Sequence, residues 1–199
     1  MMQIAESKAV PNSEMLEILV RLELEDRDVP DPTTLPPELA RKVAVKVNRR
    51  WNQNLPAMRQ IDNVIFNGPE GHAIDGRLFT PEHPGNGLVL FIHGGGFSLC
   101  SIETHERSAR LLAEKAKCAV LSINYRLAPE HPYPAGLNDC ISVFRQLSQL
   151  YTSSDWTRGP IAIAGDSSGA NLALALILHE LSENRQAPNF AMLFYGVYG

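Results

Sequence analysis

The chain has 199 residues, with 18 Lys plus Arg against 22 Asp plus Glu, a formal charge of −4 and 44% hydrophobic residues; this balance excludes an intrinsically disordered chain and a nucleic-acid surface. The length suits one α/β domain burying about 70% of its unfolded surface. The longest apolar stretches, Leu88–Ile92 and Leu172–Leu178, fall far short of the ~20 residues of a membrane span, and Glu6, Glu14 and Glu17 stand where a secretory signal would be basic, so the expected location is cytoplasmic, with no membrane partner.

In chain order, apolar periodicity predicts a helix over about 13–24, with Met15, Leu16, Leu19, Val20 and Leu22. After Val29-Pro30-Asp31-Pro32, which cannot continue a helix, a second runs over about 36–51, with Leu39, Val43, Val47 and Trp51 as its stripe. Lys42, Lys46, Arg49 and Arg50 make its other side basic, read as a solvated face. From about residue 60 the pattern alternates. Strands are expected at Asn63–Phe66, Ala73–Thr80, Leu88–Ile92, Ala119–Asn124, Ile161–Ala164 and Phe190–Phe194, and helices at about 103–117, 137–150 and 168–183. The order reads as a twisted sheet, parallel in its later part, with helices on its faces. Leu172–Leu178 is apolar nearly all round and predicts a buried central helix. Cys100, Cys118 and Cys140 form neither a disulfide framework nor a C-x-x-C pair and read as reduced packing residues.

Ligands on such sheets sit at the carboxyl ends of strands. After the strand at Ile161–Ala164 comes Gly165-Asp166-Ser167-Ser168-Gly169 and then a helix. This fits the G-x-S-x-G nucleophile elbow, in which a sharp turn strains the central serine and flanking glycines let neighbouring backbone approach. The helix begins at Ser168, so its dipole and free N–H groups point toward developing negative charge, with the Ser168 N–H as one oxyanion donor. The second signal, His93-Gly94-Gly95-Gly96-Phe97, follows the strand at Leu88–Ile92 and exposes backbone donors of the kind that complete an oxyanion hole. The competing reading is a phosphate cradle in a nucleotide-binding α/β protein. The run lacks the Gly-Lys-Ser/Thr of a P-loop and the third glycine of a dinucleotide turn. No cofactor or metal is expected. His93 reads as a residue that fixes the loop rather than as a base.

Together with Glu103-Thr104-His105-Glu106-Arg107, Tyr125-Arg126-Leu127-Ala128-Pro129-Glu130 and Tyr195-Gly196-Val197-Tyr198-Gly199, these motifs make the chain resemble the hormone-sensitive-lipase-like (family IV) carboxylesterases of the α/β-hydrolase fold, most closely the bacterial acetyl esterases. The resemblance covers about residues 10–199. It departs at Ser168, where the family has Ala, and at Asn124, where it has Asp. The resemblance implies hydrolysis of short-chain acyl esters, with Ser167 as nucleophile, Gly95, Gly96 and Ser168 N–H groups holding the oxyanion and Gly94 shaping the loop. It also implies N-terminal cap helices over residues 1–55 and an α/β-hydrolase core over 56–199, incomplete beyond about the sixth strand.

In this fold the triad order is Ser, then Asp or Glu, then His. Between Ser167 and Gly199 the sequence holds only His179, Glu180 and Glu183, all on the helix that the elbow begins. Twelve helical residues at ~1.5 Å each put His179 about 18 Å from Ser167, too far to be its base. His105 and His131 lie near strand ends, with no acid partner evident in their spacing. The expectation is therefore a chain without the triad acid and histidine: part of an esterase, or a catalytically dead remnant or acyl-binding module. A sheet ending near Phe194 would also leave an open edge, which predicts self-association.

Overall fold

A computed structural model describes residues 10–150 and 159–198; Glu6 and Gly199 lie outside them. The helices are α1 (Ser13–Glu25), α2 (Pro37–Asn48), α3 (Glu106–Ala116), α4 (Ala135–Leu150) and α5 (Ser168–Ser182). The strands are β1 (Gln60–Asn67), β2 (Ala73–Thr80), β3 (Leu88–Ile92), β4 (Ala119–Ile123), β5 (Ile161–Asp166) and β6 (Phe190–Phe194), in spatial order β1-β2-β4-β3-β5-β6. β1, β2 and β4 pair antiparallel, and β4, β3, β5 and β6 pair parallel. The α/β-hydrolase architecture read from the sequence is the one observed.

The central strands explain why this sheet is two-sided. β3 and β4 are buried throughout, and their side chains alternate between two cores. Leu88, Leu90 and Ile92 join Leu121, Ile123, Ile141, Phe144, Leu172 and Leu176 beneath α4 and α5. Val89, Phe91 and Val120 instead meet Ala109 and Ala113 of α3.

Asn12 caps α1, its side chain accepting from Met15 N–H at 2.9 Å, yet no residue of this helix is buried. On α2 the buried residues are Ala40 and Ala44, whereas Leu39 and Trp51 of the expected stripe are exposed. Ala40 and the chain at Gly95, Gly96 and Ser98 line one cavity. Arg50 likewise departs from the expected solvated face: it pairs with Glu25 at 2.8 Å and with Asp26, tying α1 to α2.

The helix expected to be wholly buried, α5, is buried on one side only. Leu172, Ala173 and Leu176 enter the core, while Leu178 and Leu181 are more than half exposed. The three cysteines are free thiols, with Cys140 buried. Among the described residues no helix is long and apolar enough to cross a membrane.

Candidate active site

β5 runs straight into α5 through a single residue. Ser167 has φ 49° and ψ −120°, a conformation that L side chains rarely adopt and that costs on the order of 1–3 kcal/mol. Its N–H donates to the Phe194 carbonyl at 2.9 Å, so β6 fastens the turn. The glycines on either side are required by close approach. A Cβ on Gly165 would stand 2.6 Å from the Gly169 carbonyl carbon, and one on Gly169 would collide with the Ile92 and His93 carbonyl oxygens. Ser167 is partly exposed, and among the described residues its hydroxyl has no hydrogen-bond partner.

The chain leaving β3 is fastened to this turn at two points. Gly94 N–H donates to Asp166 Oδ1 at 3.0 Å, and Phe97 N–H donates to Ser168 Oγ at 3.3 Å. Ser168 thus supplies a side-chain contact that an alanine would lack. Gly94 spends its donor on Asp166, which leaves it to shape the loop. Gly95 and Gly96 both have positive φ, 127° and 61°, and the Gly95 carbonyl accepts from Ser98 and Leu99 N–H. The tight turn leaves the N–H groups of Gly95 and Gly96 unpartnered among the described residues, as is that of Ser168 at the start of α5. A cavity of about 350 Å³ opens against Gly95 and Gly96, its other wall made by Pro32, Leu35, Pro37 and Ala40.

His93 is fully buried behind the loop. Its Nδ1–H donates to the Gly94 carbonyl at 2.8 Å, its ring stacks on Tyr125 at 4.6 Å, and the Tyr125 hydroxyl donates to the His93 carbonyl at 2.9 Å. Burial pushes its pKa down to about 4, so the ring is neutral at pH 7, with Nε2 buried and without a partner among the described residues.

Asp166, beside the serine, gathers three donors. Besides Gly94 N–H, its Oδ2 takes His105 Nε2–H and the Tyr195 hydroxyl, both at 3.3 Å. Burial would raise this carboxyl, but the His105 hydrogen bond and charge, with Gly94 and Tyr195, outweigh it and hold it below the usual carboxylate range. His105 therefore has an acid partner that its spacing did not show, because the two lie 61 residues apart. Its other nitrogen meets Thr104 Oγ1 at 2.9 Å, so both ring nitrogens are engaged. His131 is exposed and lines a separate cavity of about 170 Å³ with Phe97 and Tyr133. His179 sits at the far end of α5, accepting from Arg145 at 3.4 Å, while Arg145 also pairs with buried Glu180 at 2.6 Å.

Asn124 Oδ1 takes the Ile102 N–H at 2.9 Å, a role for which no charge is needed. Two site residues escaped the sequence reading. Tyr195 opens the Tyr195-Gly196-Val197-Tyr198-Gly199 motif but receives no role from it, and Arg41, on α2, donates to the Ser98 carbonyl at 2.9 Å from outside any motif.

A strained serine between strand and helix, facing a glycine loop with free donors, defines an α/β-hydrolase type of site. Residues 89–199 match the alpha/beta hydrolase fold family, and the chain belongs to that family. It is 34% identical over 164 residues to an acetyl esterase of Salmonella paratyphi B, covering 81% of this chain and 50% of that protein. Among solved structures, an ester-hydrolase from the metagenome of Lake Arreo superposes with TM-score 0.84 at 33% identity, covering 94% of this chain and 60% of that one. An esterase from the bacterial hormone-sensitive lipase family superposes with TM-score 0.74 at 25% identity, covering 92% and 57%. The resemblance drawn from the motifs holds in both comparisons. The chain spans about half the length of the curated relatives it matches.

Proposed function

We propose that the protein hydrolyses short-chain, acetyl-like esters through an acyl-enzyme on Ser167. The observation that carries this reading is the φ of 49° at Ser167 with three unpartnered N–H groups, of Gly95, Gly96 and Ser168, on the adjoining loop and helix start. Ser167 Oγ attacks the ester carbonyl carbon as its proton passes to a histidine base. The carbonyl π pair moves to oxygen, where the three donors hold it; such donors are typically worth about 3–4 kcal/mol each. Collapse expels the alkoxide, which takes the proton from the base, and water repeats the sequence to free the acid.

Among the described residues no histidine is hydrogen-bonded to Ser167, and we propose that the base and its orienting acid are supplied from outside them. Residues 1–55 act as a cap over the core of 56–199, a reading supported by the cavity between Pro32–Ala40 and the glycine loop. The substrate is a small ester, and the reaction needs no cofactor and no nucleic-acid or membrane partner. The protein works in the cytoplasm.

A second reading, an acyl-binding module without turnover, is favoured by the unpartnered Ser167 hydroxyl. A fluorophosphonate probe separates the two. With the histidine base supplied, labelling of Ser167 detected by mass spectrometry and lost in Ser167→Ala supports the esterase, since only an activated serine reacts; a protein that stays unlabelled with the base present yet still binds short acyl esters supports the module.

A further inference from the structure

We propose that Arg41 is a positioning residue, setting the orientation of the Gly95 and Gly96 N–H groups from the N-terminal helix α2; this rests on the esterase reading of the Ser167 site. Among the described residues the loop Gly94–Ser98 has four long-range attachments. Three are the Gly94 N–H on Asp166, the Phe97 N–H on Ser168 Oγ, and the Phe97 carbonyl accepting from Ala128 N–H at 2.9 Å. The fourth is Arg41, whose Nε–H donates to the Ser98 carbonyl at 2.9 Å. The same guanidinium donates from Nη2 to the Ala128 carbonyl at 3.0 Å, so it bridges both segments that meet at the Phe97–Ala128 bond.

Gly95 and Gly96 lie between these attachments with positive φ at both. Glycine backbone has no side chain to restrict it, so the direction of these two N–H groups is set by the Ser98 and Leu99 bonds to the Gly95 carbonyl and by how firmly the loop end at Ser98 is held. Glu130 holds the clamp itself, accepting from Arg41 Nη1 at 2.9 Å and Nη2 at 2.7 Å. Four of the five guanidinium N–H donors are thereby used in one plane. An ammonium is a point charge on a flexible stem and cannot reach two carbonyls and a carboxylate together, so charge alone does not reproduce the clamp. Glu130 and Ala128 belong to the Tyr125–Glu130 segment whose function the catalytic reading leaves open.

Arg41→Lys, Arg41→Met and Glu130→Gln test this. Hydrogen exchange of the Ser98, Leu99 and Ala128 amides, whose bonds define the loop, is expected to speed up by roughly tenfold or more in both Arg41 variants and less in Glu130→Gln, with β3 and β5 amides unchanged. Labelling of Ser167 by the fluorophosphonate probe is expected to slow by about 10- to 100-fold in Arg41→Lys, with the melting temperature close to that of the parent. Unchanged exchange at the three amides, a uniform rise across the sheet, or parental labelling in Arg41→Lys would each overturn the proposal. A parent protein that does not label even with the histidine base supplied defeats the esterase reading instead, and the exchange rates still decide the role of Arg41. If Arg41→Met fails to fold, Glu130→Gln, which leaves α2 untouched, carries the same comparison.

Discussion

Gly94 N–H donates to Asp166 Oδ1 at 3.0 Å across 72 residues of sequence, joining the glycine loop after β3 to the residue that precedes the strained serine. The loop and the turn are therefore one unit, and disturbing either should be felt in the other.

The strain at Ser167 gives the first prediction. At φ 49° and ψ −120° glycine fits without steric cost, so Ser167→Gly should stabilise the fold by roughly 1–2 kcal/mol while abolishing probe labelling. Thermal melts of the two proteins provide the check. A lower melting temperature in Ser167→Gly would mean that the serine side chain contributes more through contacts than its backbone costs.

Gly169→Ala should do the reverse. The added methyl would press on the Ile92 and His93 carbonyl oxygens, both backbone atoms of the chain leaving β3, which cannot swing aside as a side chain can. Destabilisation of about 3 kcal/mol or more is expected, measured by urea unfolding. A loss below ~1 kcal/mol would show that β3 and α5 slide apart easily.

A pH prediction follows from His93. Burial lowers its pKa from 6.5 to about 4, so between those values the unfolded chain binds a proton that the folded chain refuses. Stability is then complete above pH 6.5 and falls as the pH drops toward 4, by about 3 kcal/mol in total. Asp166, held below the usual carboxylate range, adds its own loss only in more acidic solution, under about pH 4. Urea midpoints across pH 4–8 should slope in the parent and flatten in His93→Phe. Equal slopes would assign the acid sensitivity to other groups.

How much of this was legible in the sequence depended on distance along the chain. The elbow, the glycine loop and strands β3 and β4 are written in local runs, and their positions in the fold agree with that reading. What failed depended on partners far away. Leu39 and Trp51 carry a helical stripe, yet α2 buries Ala40 and Ala44 instead, since the face it presents is set by segments far along the chain, as the Arg41 bonds to Ser98 and Ala128 show. His105 finds Asp166, and Arg41 reaches Ser98 and Ala128, across 57 to 87 residues. No periodicity encodes such pairs. Arg50 looked solvated because its carboxylate partners, Glu25 and Asp26, sit on a different helix.

The edge of the sheet supports a prediction about association. Among the described residues β6 pairs only with β5, and Phe190 and Val197 near its ends are 64% and 66% exposed. Unpaired backbone donors beside apolar side chains favour edge-to-edge contact. Sedimentation velocity should show mass rising with concentration, and Phe190→Lys should shift the distribution toward monomer. A parent that stays monomeric at every concentration would remove this expectation.

The last prediction concerns the far end of α5. Glu180 is fully buried and its carboxylate pairs with Arg145 on α4 at 2.6 Å. Arg145→Met keeps most of the apolar stem but strands the buried carboxylate, a change that typically costs about 1–3 kcal/mol when the lost partner is itself partly exposed. Replacing both partners, Arg145→Met with Glu180→Leu, removes the stranded charge and should recover most of the loss, since a packed apolar pair needs no counter-ion. Urea unfolding of the parent, the single variants and the double variant measures the coupling directly. Additive losses in the double variant would show that the two side chains act independently, and that Glu180 reaches water despite its burial.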